Sequence, residues 1–172
     1  THTGAFRVHL LLAVDHSDAS DKAVKFVADC FQKAAADSVK VTLFHVVESL
    51  PSFVVPAHHG AESKEIFAEA ADAWEKANQK AGEELLATCR DQLVSAGFSA
   101  SAVAVKLAQR DSLPEAKQVV AAQTIIAEMQ SGAYDVIVMG RRAKSPVSDS
   151  FVGTVASKVL REAAGKTVWI ID

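Results

Sequence analysis

Two glycines and a hydroxyl residue near the carboxyl-terminal end of the chain have the spacing of a phosphate-binding loop. Gly140 ends an apolar run that begins at Val136, and Gly153-Thr154 opens a segment with helical spacing. Main-chain amides at the start of a helix point outward, and the helix dipole favours negative charge there. Because glycine lacks a Cβ atom, an anion can approach the main chain closely at both positions. The local sequence therefore predicts a cradle for phosphate.

Three basic side chains lie inside this loop. Arg141 and Arg142 follow Gly140 directly, and Lys144 comes two residues later. Such residues often belong to an ordinary solvated face. Their place beside the glycines favours a phosphate contact, because charge-assisted hydrogen bonds to phosphate are strong.

Apolar runs of strand length alternate with segments of helical spacing along the whole chain. The predicted strands are Val8 to Val14, Val39 to Val47, Ser101 to Leu107, Tyr134 to Met139 and Thr167 to Ile171, and the predicted helices are Ser20 to Ala35, Ser63 to Ala96, a helix from after Glu115 to about Ser131, and Thr154 to Ala164. This alternation implies right-handed crossovers and an α/β fold, a parallel sheet with helices on both faces. We expect one domain over residues 1–172.

Ligands of such sheets bind beyond the carboxyl ends of the strands, where the strand order switches. Asp15 follows the first strand, Val46 lies at the end of the second, and the glycine loop follows the fourth. The fold alone is therefore expected to bring these three segments together. For Asp15 a second interpretation stays open, because an aspartate at this place can simply cap the first helix or turn.

The glycine loop reads Gly140-x2-Ala143-x9-Gly153-Thr154. It resembles the nucleotide motif of the universal stress protein family, G-x2-G-x9-G-[ST], and departs from it at Ala143, where the ATP-binding members carry a second glycine. Nearly the whole chain takes part in the resemblance, through LLLAVDHSDASDKAVKFV, VTLFHVVES, TIIAEMQSGAYDVIVMGRR and TVWIID.

The resemblance implies a doubly wound, five-stranded parallel sheet in the order 3-2-1-4-5. It implies that Asp15 contacts adenosine and that the main chain at Val46 meets adenine. The phosphate-holding residues that it implies are Gly140, Ala143, Gly153 and Thr154. It also implies a homodimer through the last strand, Val168 to Ile171, whose bare apolar edge is suited to pairing with its own copy.

Two functions from different classes stay open. The first is a regulatory module of the stress response that binds ATP, with or without Mg, or a related adenine nucleotide. The second is a dimeric interaction protein of the same fold whose pocket is empty or takes another ligand. The choice between the two functions depends on Ala143. If this residue needs a positive φ, its Cβ atom costs on the order of 1 kcal/mol; otherwise the methyl group only narrows the pocket.

Composition excludes several other classes. A net charge of −3 disfavours a nucleic-acid surface, and no apolar run is long enough for a membrane span. Cys30 and Cys89 are expected to be buried, reduced thiols, which fits a cytoplasmic protein. An enzyme is not expected beyond slow ATP hydrolysis, since no Ser-His-Asp set, Cys-His set or Walker lysine loop occurs.

Three further sets of residues are not predicted to bind a ligand. Adjacent loop residues such as His58 and His59 seldom converge on one ion, so no metal site is predicted. His45 and Trp74 are assigned to the core or to an interface rather than to a ligand.

Overall fold

A computed structural model describes residues 8–31, 38–47, 61–109, 117–141 and 153–172, with the main chain alone described at 61–64 and 117–119. The elements in chain order are β1 (Val8–Ala13), α1 (Asp18–Phe31), β2 (Val39–Val47), α2 (Ala61–Ser95), β3 (Val103–Gln109), α3 (Lys117–Ser131), β4 (Val136–Gly140), α4 (Thr154–Glu162) and β5 (Thr167–Ile171). No helix in these ranges is long and apolar enough to cross a membrane.

The five strands form one parallel sheet in the order β3-β2-β1-β4-β5, which confirms the predicted fold class and strand order. β1 lies at the centre, where Leu12 pairs with Leu43 of β2 on one side and with Val138 of β4 on the other. The strand order therefore switches between β1 and β4. A ligand site is expected beyond the carboxyl ends of these strands.

Each face of the sheet is covered by two helices. On one face, alternate residues such as Leu10, Leu12 and Leu43 pack with Val24 of α1 and Leu86 of α2. On the other face, the intervening residues pack with α3 and α4; they include Leu11, Phe44, Ile137 and Met139. The central strands are apolar on both sides because both sides are buried.

Two sequence predictions need correction. β3 begins at Val103 rather than Ser101, because the amide of Ala102 donates to the Ser99 carbonyl at 2.9 Å and holds the preceding residues in a turn. Cys30 is exposed rather than buried, since it lies on the outer side of α1, whereas Cys89 is buried as expected. Burial raises the pKa of the Cys89 thiol to about 11.

At Gly140, β4 comes into close main-chain contact with α1. A Cβ atom at Gly140 would lie 2.1 Å from the carbonyl oxygen of Ala19 and 2.8 Å from the amide nitrogen of Ser20. Glycine is therefore required here because the main chain of α1 crosses it. This reason differs from the one that the sequence suggested, which was room for an anion. The contact brings the start of α1 against the end of β4.

We expect Gly140→Ala to lower the free energy of unfolding by about 3 kcal/mol, near the upper end for overpacking, because rigid main chain blocks the added methyl. Gly165→Ala is the control: Gly165 has a φ of 76° and open space around its Cβ position. That control should cost only about 1–2 kcal/mol from backbone strain. Urea unfolding measures both losses, and equal losses would contradict the packing explanation.

Candidate functional site

A cavity of about 410 Å³ opens at the carboxyl ends of β1, β2 and β4. Its volume lies within the usual range for small-molecule sites. The wall is built from residues 13–17 at the end of β1 and in the turn after it, 20 of α1, 44–47 of β2, 74, 78 and 81 of α2, 121 and 125 of α3, 139–140 of β4, and 153–156 at the start of α4. The cavity thus lies at the switch in strand order and draws on all four helices.

Five of the eight predicted nucleotide-binding residues line this cavity: Asp15, Val46, Gly140, Gly153 and Thr154. Arg141 is described but is not part of the wall. Arg142 and Ala143 lie outside the described residues, as do His58 and His59.

The turn between β1 and α1 holds Asp15 at the cavity by hydrogen bonds. The Ser17 hydroxyl donates to Oδ1 of Asp15, and the Asp15 amide donates to the Ser20 hydroxyl at 3.0 Å. Ser17 also caps α1, since its carbonyl accepts from the amide of Ser20 at 2.9 Å and its hydroxyl from the same amide at 3.3 Å. Asp15 itself is half-buried beside the cavity.

Val46 lies beyond the point where β1 stops pairing with β2. The last pair in the register is Ala13 with Phe44, and the Phe44 carbonyl accepts from the Val14 amide at 2.9 Å. In a parallel strand the main-chain groups of alternate residues face the same side. The N–H and C=O of Val46 therefore face the side of β1, past its end, which is where the cavity lies.

The start of α4 supplies main-chain donors. The first amide bonded within the helix is that of Ser157, which donates to the Gly153 carbonyl at 2.9 Å. The amides of residues 154–156 thus have no acceptor within the helix. No side-chain cap is found among the described residues, and the first turn carries no acidic residue. The helix dipole and these amides together favour an anion in the cavity.

Gly153 sets the entry into α4. Its φ is 83°, in the left-handed region that favours glycine, and none of the described residues lies within 4 Å of its Cβ position. A side chain here would therefore extend into open space beside the helix start.

Arg141 is engaged elsewhere. Its guanidinium donates to the carboxylate of Asp172, and its amide donates to the Ile171 carbonyl at 2.6 Å. The guanidinium holds the pKa of the Asp172 carboxyl below its usual value. Arg141 therefore links the end of β4 to the end of β5, and it would have to exchange partners to reach an anion in the cavity.

The described wall contains Asp15, His16 and His45 as its ionisable residues, and no lysine or arginine. Nδ1 of His45 lies 2.8 Å from the Val14 carbonyl, so this nitrogen carries the proton and donates. The His16 ring meets the His45 ring edge-on at 5.7 Å. Within the described ranges no group of three or more His, Cys, Asp or Glu residues could hold a metal ion.

Sequence reasoning missed the contribution of α2 to the cavity. Trp74, Asn78 and Ala81 lie on one face of this 35-residue helix and line the wall, although Trp74 was assigned to the core or an interface. His45 likewise lines the wall. A signal was present: the helix is longer than the strands that it covers, so its first half must extend past the sheet toward the ligand end.

Comparison with known proteins agrees with this architecture. The family model of the universal stress protein family matches residues 8–171. No curated protein sequence gives a significant match.

Solved structures show the same fold at low identity. Hypothetical protein MJ0577 is 17% identical, with a TM-score of 0.68 over 97% of this chain and 96% of that one. Universal stress protein UspA from Lactobacillus plantarum is 21% identical, with a TM-score of 0.62 over 98% and 99%. A universal stress protein family protein from Arabidopsis thaliana, solved with AMP bound, is 17% identical, with a TM-score of 0.60 over 95% and 90%.

Proposed function

Because the chain belongs to the universal stress protein family, we propose that it is a cytoplasmic regulatory module of the stress response that binds ATP or a related adenine nucleotide. The observation that carries the proposal is the start of α4, which has no side-chain cap among the described residues and opens into a cavity at the switch in strand order. The AMP bound to the Arabidopsis relative supports the ligand class.

In the proposed complex the base lies at the overhanging end of β2, where the Val46 main chain can pair with adenine. Asp15 contacts the adenosine. The phosphates lie against the amides of Gly153 and Thr154 and along the loop that starts at Gly140. Arg141, Arg142 and Ala143 complete the proposed phosphate site, with Mg as an optional companion of the phosphates.

One observation favours the second function, that of a dimeric interaction protein that binds no nucleotide. The described wall carries the carboxylate of Asp15 and no cation, and Arg141 is paired with Asp172. A dimeric interaction protein whose cavity takes no nucleotide would have the same features. Binding measurements separate the two functions directly.

We expect Gly153→Leu to weaken ATP binding by about a hundredfold or more in calorimetry with Mg present. The side chain would occupy the space in front of the α4 amides and remove at least two hydrogen bonds to a charged group, worth roughly 1.5–3 kcal/mol each. Leucine is chosen because a β-branched residue at positive φ adds strain of its own.

Gly165→Leu is the matched control for this test. Gly165 also has a positive φ, 76° against 83° at Gly153, and open space around its Cβ position. It lies after α4 and is not part of the cavity wall, so the variant should bind ATP like the wild type. A wild type that takes up no ATP at millimolar concentration would contradict the nucleotide function.

We also propose that the protein is a homodimer through β5. Thr167 and Ile171 bond to the β4 side: the Thr167 amide donates to Asp135, and the Ile171 carbonyl accepts from Arg141. By alternation the main-chain groups of Val168 and Ile170 face outward from this edge. No strand in the described ranges pairs with this apolar edge, which is therefore suited to pairing with a second copy.

Val168→Pro should shift the protein from dimer to monomer in sedimentation, because proline removes an outward amide without breaking a bond to β4. The control is Val105→Pro on the opposite edge strand, β3. The Ala102 carbonyl accepts from Val41 of β2, so by alternation the Val105 amide also faces outward. This control should stay dimeric. A monomeric wild type at tens of micromolar would contradict the proposed dimer.

A further inference from the structure

We propose that Trp74 of α2 is the stacking platform of the cavity and holds the base of the nucleotide by its indole ring. This inference rests on the proposed nucleotide-binding function and adds to it the side chain that supplies affinity for the base. Two observations lead to it. The first is the placement of α2 beyond the strand ends, and the second is the difference between the surroundings of the two tryptophans.

Two contacts position α2 against the ends of β2 and β3. A Cβ atom at Gly82 would lie 2.9 Å from both Cδ2 of His45 and Cδ1 of Leu107, so the missing side chain lets the helix lie close to the sheet. Three residues earlier, Nε2 of Gln79 donates to Oε1 of Gln109 at 3.3 Å. The helix thus runs opposite to the strands, and its earlier residues lie toward the carboxyl ends of the strands.

The amino-terminal half of α2 continues past the sheet, over the proposed base site. Gln109 pairs with Val47 at the end of β2, so Gln79 is level with that end. At a rise of about 1.5 Å per residue, Trp74 lies about 7.5 Å further out along the helix. Trp74 and Val46 line the same cavity. A base that pairs with the overhanging main chain of Val46 would therefore lie beside the indole of Trp74.

The two tryptophans of the chain have different surroundings. The ring of Trp169 lies nearly parallel to that of Phe31, with centroids 6.3 Å apart, and meets Phe26 edge-on at 6.0 Å. Trp74 makes no ring contact and no hydrogen bond within the described ranges, although it is half-buried in the cavity wall. Tryptophan has the largest stacking surface of the side chains, and its N–H usually finds a partner when it is buried. We therefore infer that the partner of this indole is the ligand.

Stacking by Trp74 complements the contact at Val46. A base has polar edges and two flat faces, so the main chain of Val46 can pair with an edge while Trp74 covers a face. Base–aromatic stacking requires no charged group and tolerates every base, because every base has a π-face. Trp74 thus supplies affinity for the base, and the choice among bases is left to the main chain.

The first test is Trp74→Ala, measured by calorimetry with adenosine and with ATP. Removal of the indole should raise the Kd for both ligands about tenfold, within the usual worth of one base–aromatic stack. The factor should be the same for both ligands, because the stack contacts only the base that they share. Trp74→Phe keeps an aromatic ring at this position and should restore most of the affinity.

Ile66→Ala is the control for the loss of apolar surface from α2. Ile66 is 64% exposed, lies about two turns before Trp74 and is not part of the cavity wall. This variant should bind both ligands like the wild type. Circular dichroism verifies that each variant is folded.

Fluorescence provides a second readout that keeps the indole in place. Trp169→Phe leaves Trp74 as the single tryptophan, and Trp74→Phe leaves Trp169. Adenosine should change the emission of the first variant, with the Kd that calorimetry gives for that variant, because a stacked base contacts the emitting ring. The emission of the second variant should stay constant, since Trp169 is not part of the cavity wall.

The outcomes separate the stacking role from nucleotide binding. If the wild type binds ATP, then an unchanged Kd for adenosine in Trp74→Ala, no measurable adenosine binding, or a constant emission in Trp169→Phe overturns the stacking role and leaves nucleotide binding standing. Unequal factors for adenosine and ATP also overturn it, because the loss would then reach the phosphate site. A wild type that binds neither ligand overturns both proposals. Equal losses in Trp74→Ala that Trp74→Phe recovers and Ile66→Ala lacks support the role of Trp74.

Discussion

The close main-chain contact between Gly140 and the start of α1 is the constraint on which the site depends. With no room for even a methyl group between Gly140 and Ala19, the end of β4 is held directly against the first turn of α1. Ser17 caps that turn, and its hydroxyl also holds Asp15, which lies just before the helix. The same contact fixes where the chain leaves β4. A cavity at the switch between β1 and β4 is the geometric consequence.

The resulting site relies more on the main chain than on charged side chains. In the proposed complex its anion donors are the amides at the start of α4 and its base contact is the overhanging end of β2, while its described wall carries one carboxylate and two imidazoles. Amides held by secondary structure need no ordering when a ligand binds, which lowers the entropic cost of association. Arg141 is bonded to Asp172 and so contributes to the joining of β4 and β5 in the free protein.

The fold was predictable because apolar residues recur with strand or helix periodicity along the entire chain. Apolar runs such as Val136 to Met139 require burial on both faces, and alternation with helices then leaves few topologies. Asp15, Val46 and Gly153 could be placed at the cavity for the same reason, since they follow or end parallel strands or begin the helix after one.

What could not be predicted depends on contacts between distant segments. The glycine at 140 is required by the main chain of α1, which is over a hundred residues away in sequence. The length of α2 indicated that its first half passes the end of the sheet. Which of its residues line the cavity depends on how closely Gly82 lets the helix approach His45, where a Cβ atom would lie 2.9 Å from the ring, and no local pattern encodes that distance. β3 starts at Val103 instead of the predicted Ser101 because residues 99 to 102 form a hydrogen-bonded turn.

Mass spectrometry of the native protein, purified without added nucleotide and then equilibrated with millimolar ATP, tests nucleotide binding most directly. The proposed function predicts a mass increase equal to one adenine nucleotide per chain, either retained from the cell or acquired from the added ATP. A spectrum that shows only the mass of the polypeptide in both samples would contradict it.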